Sequence, residues 1–88
     1  MTEFKINTIE DVGKFFIWLV FEKRLDFHPD DDFGEYENYE THEPTFTNEE
    51  VRYYNDVMNE CFNVCEKYKR DIYVISSHVY ALYYYCES

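Results

Sequence analysis

The stretch that begins at Thr47-Asn48-Glu49-Glu50 constrains the fold of this chain more than any other. The Thr47 hydroxyl can accept from the Glu50 amide while the Glu50 carboxylate reaches back to the Thr47 amide, the reciprocal pair that opens a helix. Val51, Tyr54, Met58, Cys61, Phe62, Cys65 and Tyr68 then recur on one helical face. Lys67, Lys69 and Arg70 stand where the negative end of a helix favours cations. The segment predicts a helix over 48–69.

A helix of that length must bury its apolar face against something, and the 88 residues allow one domain, 1–88, with one core. Thr8 can cap a second helix whose first turn holds Glu10 and Asp11, with Ile9, Val12, Phe16, Leu19 and Val20 in helical spacing. This predicts a helix over 9–25. Gly13 lies inside it, so either another element approaches there or the glycine is tolerated at a cost of ~1 kcal/mol. The run from Phe15 to Phe21 is apolar all round, which suits a central helix covered on several sides or one that also meets another chain.

In the C-terminal segment, Ile72, Ile75, Val79, Leu82, Tyr83 and Cys86 form a helical stripe behind Asp71, predicting a third helix over 72–86. Ile72-Tyr73-Val74-Ile75 is also β-prone. The expected class is therefore all-α, with α+β as the alternative should 15–21 or the C-terminal segment form a strand.

Charge is distributed as unevenly as hydrophobicity. The net charge is −11, yet Asp26 to Glu50 holds ten acids and no Lys or Arg, which leaves nine acids and eight bases elsewhere. Both Pro29 and Pro44 fall within this stretch, and no helical or alternating period survives over 26–46. Phe27, Phe33, Tyr36, Tyr39 and Phe46 recur through it, predicting a long, ordered acidic loop pinned to the body by aromatic rings, with a helical turn near 31–37. The field of such a loop repels nucleic acid and anionic membranes and attracts basic partners or cations.

Specific chemistry is harder to find. Asp30, Asp32 and Gly34 resemble the start of a calcium loop, but Gly34 is fifth from Asp30 where the sixth is required, and Thr41 stands twelfth in place of Glu. His28 and His42, with Asp30 and Asp32, could ligate a transition metal, although their spacing matches no established pattern. Cys61 and Cys65, one turn apart, could chelate with Cys86 or His78, but both fall on the apolar stripe and read as core thiols. Asp32-Phe33-Gly34 spells a kinase tripeptide without any of its companion motifs. No catalytic residue, cofactor or metal ligand is assigned.

The expectation is a non-enzymatic interaction module that binds a basic protein partner through Asp30, Asp31, Asp32, Phe33, Glu35, Tyr36, Glu37, Tyr39, Glu40 and Glu43. One version is nucleic-acid mimicry, in which spaced carboxylates occupy a DNA- or RNA-binding groove. The alternatives are a homo-oligomeric structural protein, contacting through the apolar first helix or Tyr83, Tyr84 and Tyr85, and a metal-binding domain built on the His/Asp-rich loop. No direct nucleic-acid or membrane partner is expected. The apolar run from Phe15 to Phe21 has seven residues, far short of a membrane span of about 20. An odd count of three cysteines without a signal-like start predicts a cytoplasmic protein.

Overall fold

Thr8 and Thr47 each close a reciprocal cap. The Asp11 amide donates to Thr8 Oγ1 at 3.2 Å, and the Thr8 amide donates to the Asp11 carboxylate at 3.0 Å. Thr47 and Glu50 repeat the arrangement at 3.2 and 3.0 Å. From these starts run α1 (Ile9–Ile17) and α2 (Asn48–Lys67), and α3 (Ile72–Glu87) follows. The computed structural model describes residues 3–38 and 40–87.

The fold is all-α. Neither strand alternative forms: 15–21 is helical throughout, and the β-prone start of the C-terminal segment lies in α3. Among the described residues the one β pairing is an isolated bridge between Glu37 and Pro44. Segments 15–21 and 72–85 bury side chains on helical rather than alternating spacing, so propensity yields to packing.

The helix ends depart from expectation for reasons visible in the backbone. The first helix stops at Glu22 rather than 25, because Trp18–Glu22 widens into a π-helical turn. There the Lys23 amide donates to the Trp18 carbonyl at 3.1 Å, Arg24 turns left-handed at φ 53, and the Leu25 amide reaches the Leu19 carbonyl at 3.0 Å. The second helix ends at Lys67 rather than 69. Lys69 is left-handed at φ 54, the Arg70 amide donates to the Cys65 carbonyl at 2.8 Å and the Lys69 amide to the Glu66 carbonyl at 3.2 Å. This is a Schellman closure with lysine in the usual glycine position. Asp71 then starts α3, its carboxylate accepting from the Tyr73 amide at 2.9 Å.

The apolar run on the first helix resolves into two working faces. Phe15, fully buried, stacks on Trp18 and Tyr54 at 6.2 and 6.3 Å and meets Phe4 edge-on at 4.9 Å. Phe16, also fully buried, packs on Phe27 at 4.9 Å, and Phe21 meets Tyr83 of α3 at 5.3 Å. The helix is thus covered by α2 on one side and α3 on the other, and in α1 only Ile17 among the large apolar residues is exposed. Gly13 needs no close approach: a Cβ there would meet nothing within 4 Å.

On α2 the expected stripe is buried at Tyr54, Met58, Cys61 and Cys65, while Tyr68 is exposed. Val57 and Val64 widen the buried face beyond the stripe. On α3, Ile72, Ser76 and Val79 face inward. Leu82 does not: it lies about a quarter turn from that line at 3.6 residues per turn and is 52% exposed.

Candidate functional site

The acidic loop is ordered by three kinds of anchor. Rings come first: Phe27, Phe33 and Phe46 are each at most 4% exposed. Phe33 and Phe46 meet edge-on at 5.6 Å, and both pack against Tyr54 of α2, at 5.8 and 5.3 Å. Backbone ties come second. The Phe33 amide donates to Asn55 Oδ1 at 3.1 Å, fixing the short 3-10 turn Phe33–Glu35 on α2. The Tyr80 hydroxyl on α3 donates to the carbonyls of Phe27 and Leu25, at 3.0 and 3.3 Å, and so clasps the loop at its start.

Local turns are the third anchor. The Asp31 carboxylate accepts from the His28 amide and the Tyr36 hydroxyl, both at 3.1 Å. The Asp32 carboxylate accepts from the Gly34 amide at 2.7 Å. Further on, the Thr45 amide donates to the Tyr36 carbonyl and the Asn38 amide to the Glu43 carbonyl, both at 2.9 Å. Asn38 Oδ1 collects the amides of Glu40 and Thr41 at 2.9 and 3.3 Å, and His42 takes a left-handed φ of 60. Residues 36–38 and 40–45 therefore make a small hairpin with an Asx-type tip. Sequence reasoning missed it, although Asn38 followed by Thr41 is the signal for such a turn.

This scaffold displays carboxylates outward. Asp26, Asp30, Asp32, Glu35, Glu37, Glu40, Glu43 and Glu49 are exposed, whereas Asp31 and Glu50 are half-buried in their local bonds. Among the described residues none of these acids forms a salt bridge with Lys or Arg; the single lysine–carboxylate pair is Lys14–Glu10 at 3.7 Å, on α1. Asp30 has only the His28 imidazole, at 3.3 Å. Lys67, Lys69 and Arg70 do not turn back to neutralise the loop. Lys23 lies over the rings of Trp18 and Phe46, at 5.5 and 5.7 Å.

Of the residues expected to meet a partner, Asp30, Asp32, Glu35, Glu37, Glu40 and Glu43 are exposed and available. Phe33 is not: at 1% exposure its ring belongs to the core, because the 3-10 turn points it at Tyr54. Tyr36 is half-buried and its hydroxyl is committed to Asp31; burial and the adjacent carboxylate raise its pKa well above the ordinary tyrosine value. Asp31 is similarly committed. Tyr39 lies outside the described residues.

Between the loop and α2 runs an open cleft of about 430 Å³. Asp30, Asp31 and Asp32 line it together with Asn55, Met58 and Phe62. It combines carboxylates with an apolar wall, a setting suited to a side chain with an aliphatic stem and a cationic head.

The remaining candidates do not converge on chemistry. Among the described residues no group of three or more His, Cys, Asp and Glu is placed to hold a metal ion, so His28 and His42 do not join Asp30 and Asp32 in such a set. Cys61 and Cys65 are buried thiols, and burial pushes both above the ordinary cysteine value, Cys61 strongly. A thiol held protonated is a poor nucleophile and a poor ligand. The side chain of Cys86 is outside the described set. No helix is long and apolar enough to cross a membrane among the described residues.

No protein-family model matches the chain, and no curated protein or solved structure is significantly similar to it. The surface itself carries the functional argument.

Proposed function

We propose that this domain is a non-catalytic docking module that takes a basic segment of another protein on the surface formed by residues 26–50. One observation supports the reading above all others: exposed carboxylates that, among the described residues, form no salt bridge with lysine or arginine, on a loop already fixed by buried rings and backbone bonds. Unneutralised like charges destabilise a compact state through self-repulsion. Holding them together on an ordered scaffold is useful where a cationic partner relieves that repulsion on arrival. Because the loop is ordered, little entropy is lost when the partner docks. Asp30 and Asp32, beside Met58 and Phe62, would receive lysine or arginine side chains, and Glu35, Glu37, Glu40 and Glu43 would steer the approach.

Titration of the protein with a fluorescent arginine-rich peptide tests the reading. Affinity should fall steeply with added salt. Neutralising Asp30, Asp32, Glu35 and Glu37 together (to Asn or Gln) should weaken binding at least about tenfold, a loss of ~1.4 kcal/mol. The matched neutralisation of Glu3, Glu10, Glu60 and Glu66 should have a much smaller effect. Equal losses from both sets would mean that only total charge matters, and the docking surface would be abandoned. In the mimicry version the partner is a nucleic-acid-binding groove, and duplex DNA or RNA should compete for the partner.

A further inference from the structure

Asn55 of α2 is both a strut for the loop and an open hydrogen-bond donor. Its Oδ1 accepts from the Phe33 amide at 3.1 Å. An amide N–H needs an acceptor, so this bond fixes which way round the Asn55 carboxamide stands. The Phe33 ring is 1% exposed, so the bond cannot swing open without drawing a core side chain with it. Among the described residues Asn55 Nδ2 has no bonding partner, and no buried side-chain nitrogen or oxygen lacks one, so Nδ2 is accessible to solvent. The residue lines the cleft that also holds Asp30, Asp31 and Asp32. We infer that Asn55 determines specificity there: its Nδ2 donates to a main-chain carbonyl of the docked segment, so the cleft selects a basic peptide over a simple polyamine of equal charge.

The chemistry of the cleft favours that class of ligand. Carboxylates accept hydrogen bonds, and an ammonium or guanidinium group has donors alone. A receptor for bare cations gains nothing from a fixed donor, whose partly positive hydrogens oppose the approaching charge. A peptide differs from a polyamine in carrying a carbonyl acceptor at every residue beside its cationic side chains. Acceptors and one oriented donor in the same cleft complement both groups at once. Asn59, one turn further along α2, also lines the cleft, but it is exposed and its carboxamide is held by no bond among the described residues. It can turn either its oxygen or its nitrogen to a ligand. Asn55 is the carboxamide whose orientation is set before a ligand arrives.

This inference rests on the docking surface proposed above, and two probes separate its failure from the failure of that surface. The probes are spermine and a tetralysine peptide with acetylated and amidated ends, which carry the same nominal charge. Both are titrated calorimetrically into the full chain at about 0.15 M salt, where screening acts beyond about 8 Å. Asn55→Asp keeps an acceptor for the Phe33 amide, removes the donor and sets a carboxylate against the peptide carbonyl. Asn59→Asp adds the same charge to the same cleft and leaves the oriented donor in place. Both variants should bind spermine more tightly than wild type, which also shows that the cleft is intact in each. The ratio of tetralysine to spermine affinity should fall about fivefold or more in Asn55→Asp, the size of one lost hydrogen bond, and stay within about twofold of wild type in Asn59→Asp. An Asn55→Asp ratio equal to that of Asn59→Asp would overturn the inference and leave the docking surface standing. Spermine affinity unmoved by Asn59→Asp would overturn it too, by placing the cation outside the cleft. A wild-type chain that binds neither probe would refute the docking surface, and this inference with it.

Discussion

Gly13 lies where no glycine is needed, whereas a Cβ at Gly34 would come within 3.1 Å of the Asp32 carboxylate, and three other residues occupy backbone positions that favour a glycine. Neither Gly13 nor Gly34 has a positive φ, whereas Arg24, His42 and Lys69 do, at 53, 60 and 54. Exchanging the two demands, Gly13→Ala with Lys69→Gly, should stabilise the domain. At position 13 the alanine methyl meets nothing within 4 Å, so the full helix-propensity gain of about 1 kcal/mol is available. At position 69 a glycine removes roughly 1–2 kcal/mol of left-handed strain. Against that stand the loss of a cation at the C-terminal end of α2, about 0.3–1 kcal/mol, and the larger chain entropy of glycine. The net gain there is about 0.5 kcal/mol. The sites lie within α1 and just past the end of α2 and share no hydrogen-bond partner, so the effects should add to ~1.5 kcal/mol. For a domain of this size that corresponds to a rise in Tm of roughly 6–12 °C. Thermal and urea melts followed by circular dichroism measure it, with an unchanged urea m-value showing that the native and unfolded states keep their compactness. A destabilised Gly13→Ala would refute the open helix surface at that position. A destabilised Lys69→Gly, or a Lys69→Val as stable as wild type, would refute the left-handed closure of α2.

Three further outcomes follow from the same contacts. Phe33→Ala should cost ~3–5 kcal/mol in urea unfolding, because a fully buried ring shared by the loop and Tyr54 is lost; a cost below about 1 kcal/mol would place that ring outside the core. The Thr47 amide holds the Glu50 carboxylate below its ordinary value of 4.5, so the cap's stability is present above that pH and lost as the carboxylate protonates on further acidification. The stability gap between wild type and Glu50→Gln should accordingly be open at pH 7 and close as the pH falls below 4.5 through the lowered pKa, and a pH-independent gap would exclude the reciprocal cap. In a Cys86→Ser background the two remaining thiols should resist a disulfide reagent until the protein unfolds, since both are buried and both pKa values are raised by burial; rapid labelling of native protein would contradict their place in the core.

Which features were legible in the sequence follows from how local their causes are. The caps at Thr8 and Thr47 involve residues three apart, and the first two helices were readable for that reason; the third was readable from its apolar stripe behind Asp71. The helix ends were read two or three residues too long, because Arg24 and Lys69 stop helices by adopting a conformation that their side chains do not advertise. The exposure of Leu82 was illegible for a different reason: periodicity locates an apolar stripe but not how far around it the neighbouring helix reaches. The Phe33 ring shows the same limit at the candidate site. As one of several aromatic residues in an acidic loop it reads equally as a contact for a partner or as an anchor to the body, and only the position of Tyr54 decides for the anchor.

That decision changes what kind of surface the acidic segment is. If its rings faced outward, a partner would be held by aromatic burial, and the carboxylates would serve mainly to steer it. With Phe27, Phe33 and Phe46 turned into the core, the outward chemistry is carboxylate, with the Met58 and Phe62 wall of the cleft beside it. On the proposed reading, recognition by this surface is largely electrostatic, hence fast in association and sensitive to salt.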